Sequence, residues 1–400
     1  MSGPLAGIRV IDITTVLLGP YGTQLLGDMG ADVIKVEAPP KGDSTRFLGS
    51  ARSPGMAGAF MNMNRNKRSI ALDLKQDAAK AALGALIKTA DVLVHNMRPQ
   101  KIARLGFGYD DVAAIKPDIV YVGAYGFSQK GPYAARPAYD DMIQAGSGLA
   151  SLFQRTTGEP RYVPTVMVDK LTGLQLSQAV AMALLHRERT GEGQFVEVPM
   201  FETLVSFLMV EHIFDAGFEP PLGEVGYKRL TTPARKPYRT ADGHHICALP
   251  YTDRHWARFF EMAGRPELTD DPRFADHATR TEHTEWLYEF MADAIATKPA
   301  EEWLTILAEA EIPSMIVNDI ADLMDDPHLK AVGMFRKLAH PSEGDTVITD
   351  IPIAYSKSPG EIRLPAPRYG ENGPELLREL GYAEADIEAM RASGALLQQD

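Results

Sequence analysis

IRVIDITTVLLGPYGTQLLGDMGADVIKVE, residues 8–37, decides the fold. Its first six residues are a β-branched run, 21–29 reads as a short helix closed by Gly30, and 32–36 (DVIKV) is a second apolar strand. Strand, helix and strand in so short a span make one crossover unit, whose two strands lie parallel. The rhythm continues downstream. Residues 76–89 form an alanine-rich helix, 91–95 and 119–122 are strands, and 170–190 is a long helix stopped by Gly191. A strand at 194–198 and a helix from Phe201 follow. This alternation predicts a doubly wound α/β domain around a parallel sheet, in the first 216 residues.

The composition then changes. Residues 217–237 (GFEPPLGEVGYKRLTTPARKP) are rich in Gly, Pro and basic residues and read as a linker. Residues 238–334 form a smaller α+β unit with a hairpin at Asp242-Gly243, helices bearing Trp256, Phe259, Trp286 and Trp303, and a strand at 313–317. In the last segment, 335–400, a strand is expected at 346–353 and short helices at 374–380 and 383–392.

Composition excludes several classes of function. In 400 residues, 41 Lys and Arg face 53 Asp and Glu, a net charge of −12 that argues against binding to nucleic acid or an anionic membrane surface. The most apolar tracts, 179–185 and 204–210, are too short to span a bilayer, and MSGPLAGIRV lacks the pattern of a secretory leader. The single cysteine, Cys247, excludes a disulfide framework and a multi-cysteine metal site. A reducing cytoplasm is the simplest expected location. Two local basic runs stand out: Arg65, Lys67 and Arg68, then Arg98, Lys101 and Arg104. Each reads as solvated surface or as a local anion site.

The dinucleotide fingerprint is missing. No G-x-G-x-x-G follows Ile13, and Pro20 stands where phosphate-binding amides are wanted, although Glu37 imitates a ribose-binding acid at a strand end. Walker A, H-E-x-x-H, G-x-S-x-G and EF-hand patterns are absent too. His244 and His245 point to opposite faces of a strand, so no metal site is expected. Asp140 and Asp141 open a predicted helix, where they suit its dipole. Asp169 precedes the long helix as a candidate N-cap, and the same geometry holds an ionised carboxylate fit to act as a nucleophile.

In order along the chain come residues 4–39, NRNKRSIALDLK (64–75), DVLVHNMRP (91–99), KIARLGFGYDD (101–111), GFSQKGPYAARPAYD (126–140), VDKLTG (168–173) and RTGEGQFVEVPMFE (189–202). YRTADGHHICAL (238–249) and EIPSMIVNDI (311–320) continue the series more loosely. Together they resemble the class III CoA-transferases, the group of formyl-CoA transferase and carnitine CoA-transferase. The resemblance implies a large Rossmann-like CoA-binding domain, a smaller domain, a C-terminal return to the large one, and an obligate homodimer of interlocked rings. It places Asp169 on the catalytic aspartate, which passes through an aspartyl mixed anhydride and an aspartyl-CoA thioester, with coenzyme A as carried group and no metal or further cofactor. It assigns Val16, Leu72, Lys75, Asn96, Met97, Arg104 and Met200 to CoA, with Tyr139, Asp140 and Arg136 as candidate active-site support. The substrates it implies are an acyl-CoA and a small carboxylic acid.

The pattern also departs from the formyl-CoA type. Ala38 and Pro137 replace basic residues, Leu17 replaces a polar one, and the second domain has no glycine-run flap, which argues against formate and oxalate. Arg229, Arg235 and Lys236 read either as solvated or as partners of a second carboxylate, the latter pointing to succinyl-CoA or another dicarboxylyl-CoA. Two alternatives remain. An α-methylacyl-CoA racemase shares the fold but has histidine where Tyr139 stands, and tyrosine, with an ordinary pKa near 10, is a poor substitute. A non-catalytic subunit of a heteromeric transferase shares the fold as well, though the presence of Asp169 counts against it.

Overall fold

The computed structural model describes residues 2–398. The crossover unit forms as read: strand β1 (Arg9–Ile13), helix α1 (Leu18–Asp28) and strand β2 (Asp32–Glu37), with β1 and β2 parallel in the register Val10↔Val33. Helix α1 starts earlier than expected, because Pro20 falls in its first turn, where no backbone N–H is needed. Strand β3 (Lys67–Leu72), helix α2 (Asp77–Lys88), strand β4 (Val92–His95) and strand β5 (Val120–Tyr125) follow. Next come helix α3 (Asp140–Gly146), helix α4 (Met167–Thr190), strand β6 (Gln194–Pro199) and helix α5 (Met200–His212).

By internal packing the chain divides into two compact units. The first holds residues up to Ser147, Pro164–Ser206 and everything from Pro327 onward, and the second holds Gly148–Val163 and Phe207–Asp326. In the first, β1 to β6 lie parallel in the order β3-β2-β1-β4-β5-β6, and the short C-terminal strand Leu396–Leu397 adds antiparallel to β3. This mostly parallel sheet has the strand order of a nucleotide-binding α/β fold, and the order reverses between β1 and β4. In such folds the ligand crevice opens beyond the carboxyl ends of those two strands.

Both sheet faces are covered. On one, Ile11, Ile34, Ile70, Leu93 and Tyr121 pack against Leu83 and Leu86 of α2 and against Leu376, Leu377 and Ile387 of the C-terminal helices Gly373–Glu379 and Glu384–Ala392. On the other face α1 meets α4 through paired glycines. A Cβ on Gly22 would sit 2.8 Å from the Gly173 carbonyl oxygen, and one on Gly173 would sit 2.8 Å from that of Leu18. Only glycine allows this approach. It draws the first turns of α4 against the start of α1, and Asp169 lies one helical turn before Gly173.

In the second unit, strands Tyr238–Arg239, His245–Ala248 and Ser314–Ile316 form an antiparallel sheet whose first turn is the expected hairpin. Its core gathers Trp256, Phe259, Trp303, Leu287 and Met291, and the buried indole N–H of Trp303 donates to the Ile295 carbonyl at 2.8 Å. Arg229 belongs to this unit and donates from Nε to the Tyr288 hydroxyl at 3.0 Å. No helix among the described residues is long and apolar enough to cross a membrane.

Candidate active site

Strand β1 leaves the sheet through Thr14, Thr15 and Val16 before α1 begins. The Asn96 side chain, just past the end of β4, grips Thr15 on both sides: its carboxamide oxygen accepts from the Thr15 N–H at 3.1 Å and its nitrogen donates to the Thr15 carbonyl at 2.8 Å. Val16 then turns with φ +71°, a left-handed conformation unusual for a β-branched residue. Beyond this turn lies a cavity of about 280 Å³, with Val16, Leu17, Asn96, Tyr125, Gln129, Arg136, Tyr139, Asp169 and Met200 in its wall. It opens at the β1/β4 reversal, where the strand order places a ligand crevice.

Asp169 is the half-buried carboxylate of this cavity. Helix α4 starts at Met167, and the side chain of Val166 before it makes no capping hydrogen bond, so Asp169 is the third residue of the first turn and the expected N-cap role is corrected. The cap comes from elsewhere in the sequence. Asp140, buried at the start of α3, accepts the Asp169 backbone N–H on Oδ2 at 3.0 Å, and Gln144 Nε2 donates to its Oδ1 at 2.5 Å. A second carboxylate therefore sits against the first. Burial, reinforced by the charge of Asp140, pushes the Asp169 carboxyl up to about 7. Desolvation and a like charge thus oppose the helix terminus, which by itself favours the ionised carboxylate.

Val16, Asn96, Met200, Tyr139, Arg136 and Asp169 thus share one cavity. An adjoining cleft of about 590 Å³ is lined by Thr15, Asn96, Met97, Arg98, Gln100, Lys101 and Arg104. Arg98, Lys101 and Arg104 are exposed, on or just before the short helix Pro99–Arg104, and face solvent from the cleft wall. Leu72 is enclosed in the core and Lys75 is exposed beyond β3, and neither lines these two cavities. Arg136 is exposed and its guanidinium lies 3.8 Å from the Tyr133 ring centroid.

The first basic run is not solvated surface. Lys67 and Arg65 are buried, pairing with Asp12 at 3.0 Å and Asp28 at 2.8 Å, while Arg68 pairs with Asp32 at 2.8 Å. Burial drives the Lys67 ammonium down to about 8 even beside Asp12. Glu37 is likewise committed: Arg46 holds it at 2.6 Å and the Ser69 hydroxyl donates to it at 2.7 Å, so its resemblance to a ribose-binding acid has no counterpart here. Neither His244 nor His245 is buried, and among the described residues no three His, Cys, Asp or Glu converge as a metal site would.

Sequence reasoning missed the cap that Asp140 supplies. The glycine-rich stretch GAYGFSQKGPY (123–133) reads from sequence as either an ordinary loop or a ligand-binding edge after a strand, and it brings Tyr125 and Gln129 into the cavity, two residues that the sequence alone did not single out. Comparison with known proteins is consistent with this geometry. Residues 5–373 match the profile of CoA-transferase family III. The chain is similar to the succinate–glutarate CoA-transferase of Agrobacterium fabrum, with 32% identity over 95% of this chain and 96% of that one. It is 33% identical to the beta subunit of the succinyl-CoA–L-malate CoA-transferase of Chloroflexus aurantiacus, over 97% of each. The crystal structure of Rv3272 from Mycobacterium tuberculosis superimposes with a TM-score of 0.81 at 30% identity, covering 93% of this chain and 99% of that one.

Proposed function

This chain belongs to CoA-transferase family III, enzymes that transfer CoA, and from that premise we propose that Asp169 is the nucleophile that passes CoA from a dicarboxylyl-CoA donor to a carboxylic acid acceptor. The observation that carries this reading is the placement of Asp169: a partly desolvated carboxylate in the wall of the crevice where the strand order reverses. In the first step the ionised Asp169 carboxylate attacks the donor thioester carbonyl, the C–S bond breaks, and an aspartyl mixed anhydride and the CoA thiolate result. The thiolate attacks the aspartyl carbonyl, leaving an aspartyl-CoA thioester and releasing the donor acid. The acceptor carboxylate attacks that thioester, and the liberated thiolate takes the acceptor's acyl group off the new anhydride, restoring Asp169. No water enters the sequence, so the thioester bond energy is conserved.

The cavity supports each requirement. Burial beside Asp140 makes the Asp169 carboxylate poorly solvated and reactive once ionised, and covalent capture of the acyl group removes the charge that Asp140 repels. Leu17 and Leu18 line the cavity at the start of α1, which has no side-chain cap, so its first N–H groups are free to stabilise the thioester oxyanion. Arg98, Lys101 and Arg104 give the adjoining cleft the cations that CoA phosphates need. The names of the relatives, which pair succinate with glutarate and with malate, support a dicarboxylyl donor such as succinyl-CoA. Arg136 and Arg98 are the cations in the cavity wall, and Arg136, beside Tyr139, is the one assigned to the distal carboxylate. The interlocked homodimer of the resemblance is part of the same proposal.

Steady-state exchange between succinyl-CoA and a panel of mono- and dicarboxylic acids tests the reading. The expected result is parallel double-reciprocal lines, a preference for dicarboxylates, and a rate that rises with pH through a midpoint near 7 as Asp169 ionises. Intersecting lines together with a pH-independent rate would exclude it.

A further inference from the structure

The floor of the entry turn contains a buried ion pair that the chemistry above leaves unused. Lys35 and Asp43 are fully buried, with Nζ and Oδ2 3.0 Å apart. Each also holds the turn that lines the cavity. Lys35 Nζ donates to the Thr14 carbonyl at 2.9 Å, and Asp43 Oδ1 accepts the Val16 N–H at 3.2 Å. The two contacts straddle Thr15, which Asn96 grips from the other side. Asp43 is itself anchored, accepting from Thr45 N–H at 3.0 Å and donating its own N–H to Glu37 at 3.0 Å.

Two features here are unfavourable in isolation. Val16 is β-branched yet left-handed, and outliers of that kind persist only where their surroundings over-determine them. A buried ion pair contributes little net stability over an apolar replacement of similar size. They occur together, and the pair's spare hydrogen bonds fall on the residues flanking the strained one.

We propose that Lys35 and Asp43 are positioning residues that clamp Val16 in its left-handed conformation and so hold the entry turn in the shape that receives the acyl-CoA. The functional half of this inference rests on the CoA-transfer reading, whereas the clamp itself does not. Without the pair, Val16 relaxes to a right-handed or extended backbone, the Thr14–Leu17 turn moves, and the cavity wall beside Asp169 is no longer preformed. Glycine reaches the left-handed region without strain. A glycine at position 16 therefore has less need of the clamp.

The test uses the full-length protein. Backbone hydrogen exchange in the wild type is expected to show a protected Val16 amide although the turn borders an open cavity, and rapid exchange there would overturn the proposal before any variant is made. The double variant Lys35→Met/Asp43→Ser removes both charges while a serine hydroxyl can still cap Thr45. In it, Val16 exchange is expected to accelerate at least tenfold with residues 10–13 unchanged, and the KM for acyl-CoA to rise at least tenfold. Adding Val16→Gly is expected to recover part of that KM loss. Unaltered Val16 exchange in the folded double variant, or a triple variant no better than the double, would contradict the clamp. If the wild type turns over no acyl-CoA at all, the CoA-transfer reading fails while the exchange data still judge the clamp.

Discussion

Two basic runs that look alike on paper, 65–68 and 98–104, meet opposite fates in the fold. Arg65, Lys67 and Arg68 are taken up in ion pairs with Asp28, Asp12 and Asp32 around the first strands of the sheet. Arg98, Lys101 and Arg104 stay exposed on a cleft wall, where Arg104 donates only to the Gln100 carbonyl and the three form no ion pair among the described residues. The difference is one of partners rather than of composition. A cation whose carboxylate is already supplied serves the fold, and a cation left unpaired beside a cavity is available to an anionic ligand.

The largest effect expected from this contrast is in the buried run. Lys67→Ala leaves Asp12 unpaired and fully buried, and should cost about 3–5 kcal/mol in denaturant unfolding. A loss below ~1 kcal/mol would mean that the pair does little for the fold. Arg104→Ala should leave unfolding unchanged to within about 0.5 kcal/mol, because surface substitutions rarely do more. Its effect belongs in binding instead, a loss of about 1.5–3 kcal/mol in acyl-CoA affinity that shrinks as salt is added. If Arg104→Ala destabilised the fold but spared binding, the contrast between the runs would collapse.

Asp140 sharpens the comparison from a third direction, as a buried carboxylate held by an amide and an N–H rather than by a cation. Asp140→Asn keeps an oxygen for the Asp169 N–H and removes the like charge. Asp169 then ionises more easily, so the acid limb of the rate profile should move below pH 7, though only in part, since burial is the larger cause of the shift. The sign follows from linkage. A carboxyl raised in the fold is favoured protonated, so it costs stability as pH rises from its unfolded value through about 7, and Asp140→Asn should reduce that cost above neutrality.

Much of the sheet was legible because its strands are apolar and clearly punctuated. The strands at 9–13, 32–37 and 92–95, the helix at 77–88 and the stop at Gly191 all follow from local pattern. Strand β3 was not seen, because KRSIAL opens with two charges whose partners, Asp12 and Asp32, lie far away in sequence. The strand Phe335–His340 escaped for a similar reason, its polar residues concealing an antiparallel pairing with Gly344–Thr349. Asp169 stood out by its place before the long helix as well as by resemblance, yet its setting was misjudged, since the group that caps its helix and adds to the effect of burial on its carboxyl lies 29 residues earlier. Local periodicity reads strands and helices well. It does not reveal which distant carboxylate meets which charge.

Mass spectrometry of the Asp169 peptide after mixing the protein with succinyl-CoA, with and without hydroxylamine, tests the central claim most directly. A CoA thioester or hydroxamate on Asp169, absent from Asp169→Ala, is the predicted result. Turnover of succinyl-CoA with no adduct on that peptide, or full activity in Asp169→Ala, would contradict it.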